Sequence, residues 1–168
     1  RSCYDESKRL SETLCATYHR QFGVPVKVVR PFNVFGPGMR LDDGRVIPNL
    51  VKAVLNREPF TVYGDGSDTR SYCYISDAVV QVLSVMLGGS DGEAYNVGDE
   101  TETNLSDLAR LAQDVEQNLI VEYVEGVDER RDAPTRRKPD ISKILKIAPR
   151  PVYNLREGLK RTLRSYRQ

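Results

Sequence analysis

Four places in this sequence carry side chains whose type and spacing suit chemistry. The first is Tyr4-Asp5-Glu6-Ser7-Lys8, at the start of a helical stretch. Four residues along a helix return to almost the same face, roughly 40° apart, so the phenol and the ammonium are neighbours. An ammonium beside a phenol favours the phenolate, which makes such a pair a usable proton acceptor or donor. A solvated, charged helix face carries Tyr-x-x-x-Lys by chance just as readily. The second is Arg70, near the start of a strand that follows Gly64-Asp65-Gly66. Its guanidinium can fork onto a pair of phosphate oxygens in a way that lysine cannot imitate; the alternative is a surface arginine on an ordinary hairpin. The third is Asn33, which offers a donor and an acceptor in the loop after a valine-rich run. An Asx turn that holds this loop together is an equal alternative. The fourth is the basic cluster Arg130, Arg131, Arg136, Arg137 and Lys138, which suits a local anionic ligand. Few aromatics interleave with it, so a nucleic-acid patch is the poorer reading.

The elements that must position these groups alternate between helix and strand. The stripe Leu10, Leu14, Tyr18, Phe22 continues the first helix, well around the cylinder from Tyr4 and Lys8. Its single histidine, His19, sits near that helix's end, where a surface imidazole is favoured. Residues 24–30 read as a buried strand halted by Pro31, Gly36 and Pro37. In an open α/β sheet the loop after a strand is where ligands sit, which is Asn33's position. Residues 62–77 read as strand, Gly-Asp-Gly turn, second strand, and a helix capped by Ser76 or Asp77. Helices are expected over 46–56, 77–87 (ended by Gly88-Gly89) and from Asn104 with Asp107 through Glu116. Strands are expected over 60–63, 94–97 and 120–124. Residues 126–139 are charged and read as a loop, and Asn154-Leu155-Arg156-Glu157 has the form of a capping box for a last helix.

Composition narrows the function classes. With 25 basic against 24 acidic residues in 168, there is no global attraction to nucleic acid or an acidic membrane surface. The 39% hydrophobic content supports one domain with a modest core. Cys3, Cys15 and Cys73 are odd in number and lack metal-ligand spacing, which fits a reduced, cytoplasmic protein without a metal site. No apolar run is long enough for a membrane span, and no signal peptide is visible.

Taken in order, several short motifs resemble the extended short-chain dehydrogenase/reductase family that acts on nucleotide sugars. They are Tyr4-Asp5-Glu6-Ser7-Lys8-Arg9, Arg30-Pro31-Phe32-Asn33-Val34-Phe35-Gly36-Pro37 and Asp42-Asp43-Gly44-Arg45-Val46. Further along come residues 63–71 (Tyr-Gly-Asp-Gly-Ser-Asp-Thr-Arg-Ser), Tyr95-Asn96-Val97-Gly98 and Arg136-Arg137-Lys138-Pro139-Asp140-Ile141. The last motif and Asp43-Gly44-Arg45-Val46 are most similar to the UDP-glucuronate decarboxylase branch, which forms UDP-xylose, rather than to dTDP-glucose 4,6-dehydratases. The likeness runs from Tyr4 to about Leu163. It implies an α/β fold: the C-terminal part of an NAD(P)-binding, Rossmann-like enzyme with its small α/β substrate-binding domain. Residues 1–168 would form a single unit, without the Gly-rich half that grips the NAD pyrophosphate.

The resemblance also implies roles. Tyr4 would take the sugar 4-hydroxyl proton as hydride leaves C4 for NAD, and Lys8 would support Tyr4 and hold the nicotinamide ribose. The 4-keto sugar acid would then lose CO2, its β-carbonyl accepting the electron pair, and NADH would return the hydride to give UDP-xylose. Asn33, Arg70 and an arginine of the 136–137 pair, preferably Arg137, would contact the sugar nucleotide; a salt bridge from Arg137 to Asp140 or Glu129 is an alternative. Asn96 matches a position near the nucleotide and Arg45 one facing cofactor or phosphates. A homodimer through the Tyr4–Lys8 helix is implied, and its apolar stripe is expected to be exposed here. One departure is Leu145-Lys146-Ile147-Ala148-Pro149, where relatives carry Leu-Gly-Trp-Glu-Pro, so that Lys146 must make the stop a glycine would have eased. Three functions remain: the substrate half of a decarboxylase, inactive alone; a related dehydratase or epimerase; and a non-catalytic nucleotide-sugar-binding or dimerisation module.

Overall fold

Pairs of parallel strands joined by helices dominate the chain, as a computed structural model describes it over residues 2–125 and 136–167. Helix α1 (Ser2–Phe22) is followed by β1 (Val28–Pro31) and β2 (Val34–Phe35), then α2 (Val46–Asn56). Next come β3 (Phe60–Tyr63), β4 (Thr69–Ser71), β5 (Cys73–Tyr74) and α3 (Ile75–Gly88). The remainder is β6 (Ala94–Val97), β7 (Glu102–Asn104), α4 (Leu105–Val115), β8 (Val121–Val124), β9 (Arg136–Arg137), one 3-10 turn (Ile144–Lys146) and α5 (Leu155–Ser165).

Strands β1 and β6 run parallel, with Val28 opposite Ala94 and Pro31 opposite Val97. Strands β2 and β5 pair in the same sense, as do β3 and β8. The remaining sheet has the order β7-β4-β9, with β7 antiparallel and β9 parallel to β4. Parallel neighbours need long crossovers, and α3 and α4 lie within two of them.

Several expectations need correcting. Strands β3 and β4 are not a hairpin, because each finds its partners elsewhere in the chain. The Gly-Asp-Gly turn is fixed by the start of α4 instead. Leu105 N–H donates to Asp68 O and Ser106 N–H to Gly66 O, at 3.1 Å each. A Cβ on Gly66 would lie 2.2 Å from Ser106 Oγ, and its φ of +69° already favours glycine. Helix α3 starts at Ile75 with Tyr74 as its N-cap residue, so Ser76 and Asp77 lie inside the first turn. Asp77 is buried and accepts from Tyr153 N–H at 2.9 Å, a tertiary bond rather than a cap. Strand β1 is half-buried to exposed, not buried, since β6 is its only strand neighbour among the described residues. Within the expected 126–139 loop, Arg136 and Arg137 form β9, while residues 126–135 lie outside the described residues. The capping box at α5 is half made: Asn154 accepts from Glu157 N–H, but the Glu157 carboxylate takes Arg161.

Other elements follow their local chemistry. Helix α2 turns Ile47, Pro48, Leu50, Val51 and Ala53 inward, and Pro48 falls in the first turn, where the missing N–H costs nothing. Asn104 caps α4 by accepting from Asp107 N–H at 2.6 Å. The turn after Ile141 ends through the 3-10 geometry, with no left-handed residue at Lys146.

Two apolar clusters hold the elements together. The larger joins α2, α4 and α5 to Phe35, Phe60, Val62, Tyr72 and Tyr74. Gly158 of α5 sits against the rings of Phe35 and Tyr74, where an added Cβ would come within 2.7 Å of Phe35. The smaller joins Cys73, Ala78, Val85, Tyr95, Val97, Ile141 and Ile144. Gln81 ties α3 to the end of β6: its side chain donates to Gly98 O and accepts from Gly98 N–H. Helix α1 is tied to β1 where Arg30 donates to Glu12, but it leaves Leu10, Leu14, Tyr18 and Phe22 each at least half exposed. A second apolar face is open on α3 at Val79, Leu83, Met86 and Leu87. No helix among the described residues is long and apolar enough to cross a membrane.

Candidate functional site

Four separated segments meet around one cavity of about 180 Å³: the β1–β2 loop, the start of α2, strand β4 and strand β9. They bring Asn33, Arg45, Arg70 and Arg137 to its wall, over an apolar lining that includes Phe35, Met39, Ile47 and Tyr72. A larger open groove of about 780 Å³ lies among the ends of α2, α4 and α5. Its guanidiniums and carboxylates are mixed, with Arg57 and Arg167 beside Glu58 and Glu116. In the smaller cavity three guanidiniums converge and, among the described residues, no carboxylate lines the wall, with Asp43 and Asp68 standing behind Arg45 and Arg70; a wall of this charge suits an anion.

Each wall residue is held by its own element. Asn33 adopts a left-handed φ of 39° between β1 and β2, and its Nδ2 donates to Ser71 O at 2.8 Å. The side chain thus joins its loop to the end of β4, a tertiary bond rather than an Asx turn, at a position that also faces the cavity. Arg45 is the N-cap residue of α2, where Asp43 accepts from its backbone N–H at 2.9 Å and from its Nε at 2.7 Å. Arg70 is largely buried; its Nη1 donates to Thr69 O at 2.7 Å, and Asp68 lies 3.5 Å from Nη2. Arg137 is Arg70's register partner across the parallel β4–β9 ladder.

The neighbour Arg136 points elsewhere. Glu102 accepts from its Nε and Nη2 at 2.9 and 3.0 Å, and also from Thr69 Oγ1 at 2.5 Å. The hydrogen bonds from Arg136 and then Thr69 push the Glu102 carboxyl down to about 2. Strand alternation puts Thr69, Glu102 and Arg136 on one face of the sheet and Arg70 and Arg137 on the other. The tyrosine in the wall, Tyr72, is buried, which pushes its phenol up to about 12 against the opposing charge of Arg70. It therefore stands in the wall as a neutral group.

Tyr4 and Lys8 are not in this cavity. They share an exposed face of α1, with Lys8 Nζ 5.4 Å from the centre of the Tyr4 ring. Asn96 is also elsewhere: it lies on β6, and its Nδ2 donates to Asp140 O at 2.9 Å. That bond anchors the segment following β9. Sequence reasoning missed Tyr72, Thr69 and Glu102. The only signal for Glu102 was a short polar alternation before the Asn104 cap, too brief to stand out as a strand.

Sequence and fold are both similar to those of known proteins. The sequence profile of the "NAD dependent epimerase/dehydratase family" matches residues 1–98. Among curated relatives, UDP-glucuronic acid decarboxylase 2 of Arabidopsis thaliana is 41% identical over 170 residues, covering 100% of this chain and 37% of the relative. UDP-glucuronic acid decarboxylase 1 of Xenopus tropicalis is 40% identical, covering 100% of this chain and 39% of its own length. The chain thus spans less than half the length of the curated relatives it matches. Among solved structures, dTDP-glucose 4,6-dehydratase from Streptomyces venezuelae with NAD bound superposes with a TM-score of 0.85 at 28% identity, over 98% of this chain and 50% of that one. UDP-glucuronic acid 4-epimerase from Bacillus cereus, in complex with UDP-glucuronic acid and NAD, gives 0.81 at 27% identity, over 94% and 50%.

Proposed function

The chain belongs to the NAD dependent epimerase/dehydratase family, and we propose that it is the substrate-binding, tyrosine-bearing part of a UDP-glucuronate decarboxylase. The observation that carries this reading is the convergence of Asn33, Arg45, Arg70 and Arg137 on one cavity. Guanidiniums are suited to forked contacts with phosphate oxygens, and a nucleotide sugar presents two adjacent phosphates. The identities of about 40% with decarboxylases favour UDP-glucuronate as the substrate.

Arg70 and Arg137 would hold the diphosphate, Arg45 would add charge at the rim or face the cofactor, and Asn33 would hold its loop at the sugar end. Asn96 would act near the nucleotide through the segment it anchors. Tyr4 and Lys8 fit the nicotinamide end of NAD, because a phenol and an ammonium stand side by side on an accessible helix face. When bound, NAD supplies the hydride acceptor and donor. Tyr4 would receive the 4-hydroxyl proton at its phenolic oxygen, and Lys8 would place a positive charge beside it and bind the ribose. The exposed Leu10–Phe22 stripe supports a homodimer through α1, and three free cysteines support a reducing, cytoplasmic setting.

Residues 1–168 alone would bind without turnover. The test is to supply the Gly-rich half of a decarboxylase as a second chain, add NAD and UDP-glucuronate, and assay UDP-xylose. Product that disappears with Tyr4→Phe supports the reading. Likeness to a dehydratase and a 4-epimerase favours a second reading within the same chemistry. Conversion of dTDP-glucose, or epimerisation without CO2 release, would replace the first reading with that one. If the paired halves bind UDP-glucuronate but produce no turnover, a binding module is favoured.

A further inference from the structure

We propose that Glu102 is a positioning residue for nucleotide binding, clamping β9 to β4 from the sheet's far face so that Arg137 stands beside Arg70 in the cavity. This rests on the reading of that cavity as a diphosphate site.

The geometry places two arginines directly opposite each other across one ladder, Arg70 on β4 and Arg137 on β9. Strand β9 is only two residues long, and β4 is its only strand partner among the described residues, so the ladder itself holds it with few bonds. A further tie lies on the opposite face. Glu102 receives a two-pronged contact from Arg136, the residue preceding Arg137. The same carboxylate receives Thr69 Oγ1, from the residue preceding Arg70. Thr69 and Arg136 are themselves register partners. One carboxylate on β7 thus ties together the residues immediately before Arg70 and Arg137. A neutral amide of the same shape accepts through one oxygen and cannot provide two charged acceptors for a guanidinium fork. Glu102 does not line the cavity, so its influence on a ligand passes through Arg137.

The test is a double-mutant cycle read by calorimetric titration with UDP. The variants are Glu102→Gln, Arg137→Ala and the pair, with Arg136→Ala as a second way to open the clamp at an exposed side chain. Thermal unfolding of each variant identifies any that are not folded at the titration temperature. Glu102→Gln and Arg136→Ala are each expected to weaken UDP about tenfold. In the Arg137→Ala background, adding Glu102→Gln is expected to change the affinity less than twofold, since the arm it positions is already gone. An undiminished tenfold loss in that background would show a general structural effect and overturn the proposal. So would unchanged affinity in both clamp variants while Arg137→Ala weakens binding. UDP binding by the unsubstituted chain that Arg70→Ala and Arg137→Ala leave intact would overturn the site reading itself, and absence of any UDP binding would overturn both.

Discussion

Arg70 and Arg137 are partners in a parallel ladder although 66 positions of chain separate them, and both reach the same 180 Å³ cavity. Two cations in that relationship make sense around a shared anion. If the anion is a diphosphate, fork geometry should matter as well as charge. Arg70→Lys keeps the charge and loses the fork, and charged hydrogen bonds are worth about 1.5–3 kcal/mol each. The expected outcome is a UDP affinity roughly tenfold to a hundredfold weaker with little change in melting temperature. Equal affinity in the lysine variant would mean that Arg70 acts as a point charge or not at all.

Gln81 satisfies both backbone groups of Gly98 from inside the protein. Gln81→Leu fills a similar volume but orphans a buried donor and a buried acceptor, each costing about 1–3 kcal/mol. An unfolding free energy lowered by about 2–6 kcal/mol, read from chemical denaturation, is expected. An unfolding free energy within error of the unsubstituted chain would show that water satisfies Gly98 equally well.

The Glu102–Arg136 contact gives stability a particular pH dependence. The folded carboxyl titrates near 2, below its ordinary 4.5. A depressed carboxylate stabilises the fold above its unfolded value, and that contribution falls as pH drops from about 4.5 toward 2. Glu102→Gln has no such proton to take up. Urea midpoints of the two proteins should therefore differ at pH 7 and converge by about pH 2. A gap that stays constant across this range would remove the pair from the acid response.

Helix α1 presents Leu10, Leu14, Tyr18 and Phe22 to solvent, and such a stripe favours self-association. Sedimentation of residues 1–168 should show a mass that rises with concentration, and Leu14→Glu with Phe22→Glu should shift it toward monomer. A concentration-independent monomer in the unsubstituted chain would contradict a seam on this helix.

Much of the local structure was legible because it is locally encoded. Gly44 and the apolar spacing from Val46 marked α2 to its observed ends, Phe60–Tyr63 and Ala94–Val97 emerged as strands, and Asn104 announced α4. Pairing was not legible. Gly64-Asp65-Gly66 has hairpin chemistry, yet β3 joins β8 about sixty residues later, a choice set by the larger apolar cluster rather than by turn residues. The burial of Asp77 depends on Tyr153, and the role of Glu102 depends on two other strands. Of the candidate site, Asn33, Arg45, Arg70 and Arg137 were visible as residue types in motifs. Their meeting at one cavity is a property of topology that spacing along the chain does not contain.

The most direct test of the account is calorimetric titration of the unsubstituted chain with UDP, UDP-glucuronate, uridine and dTDP-glucose under one buffer. The account predicts that UDP and UDP-glucuronate bind, that uridine, lacking the diphosphate, binds at least tenfold more weakly, and that Arg70→Ala removes the difference. Binding of uridine as tightly as UDP, or no heat from any of the four, would contradict a diphosphate site at this cavity.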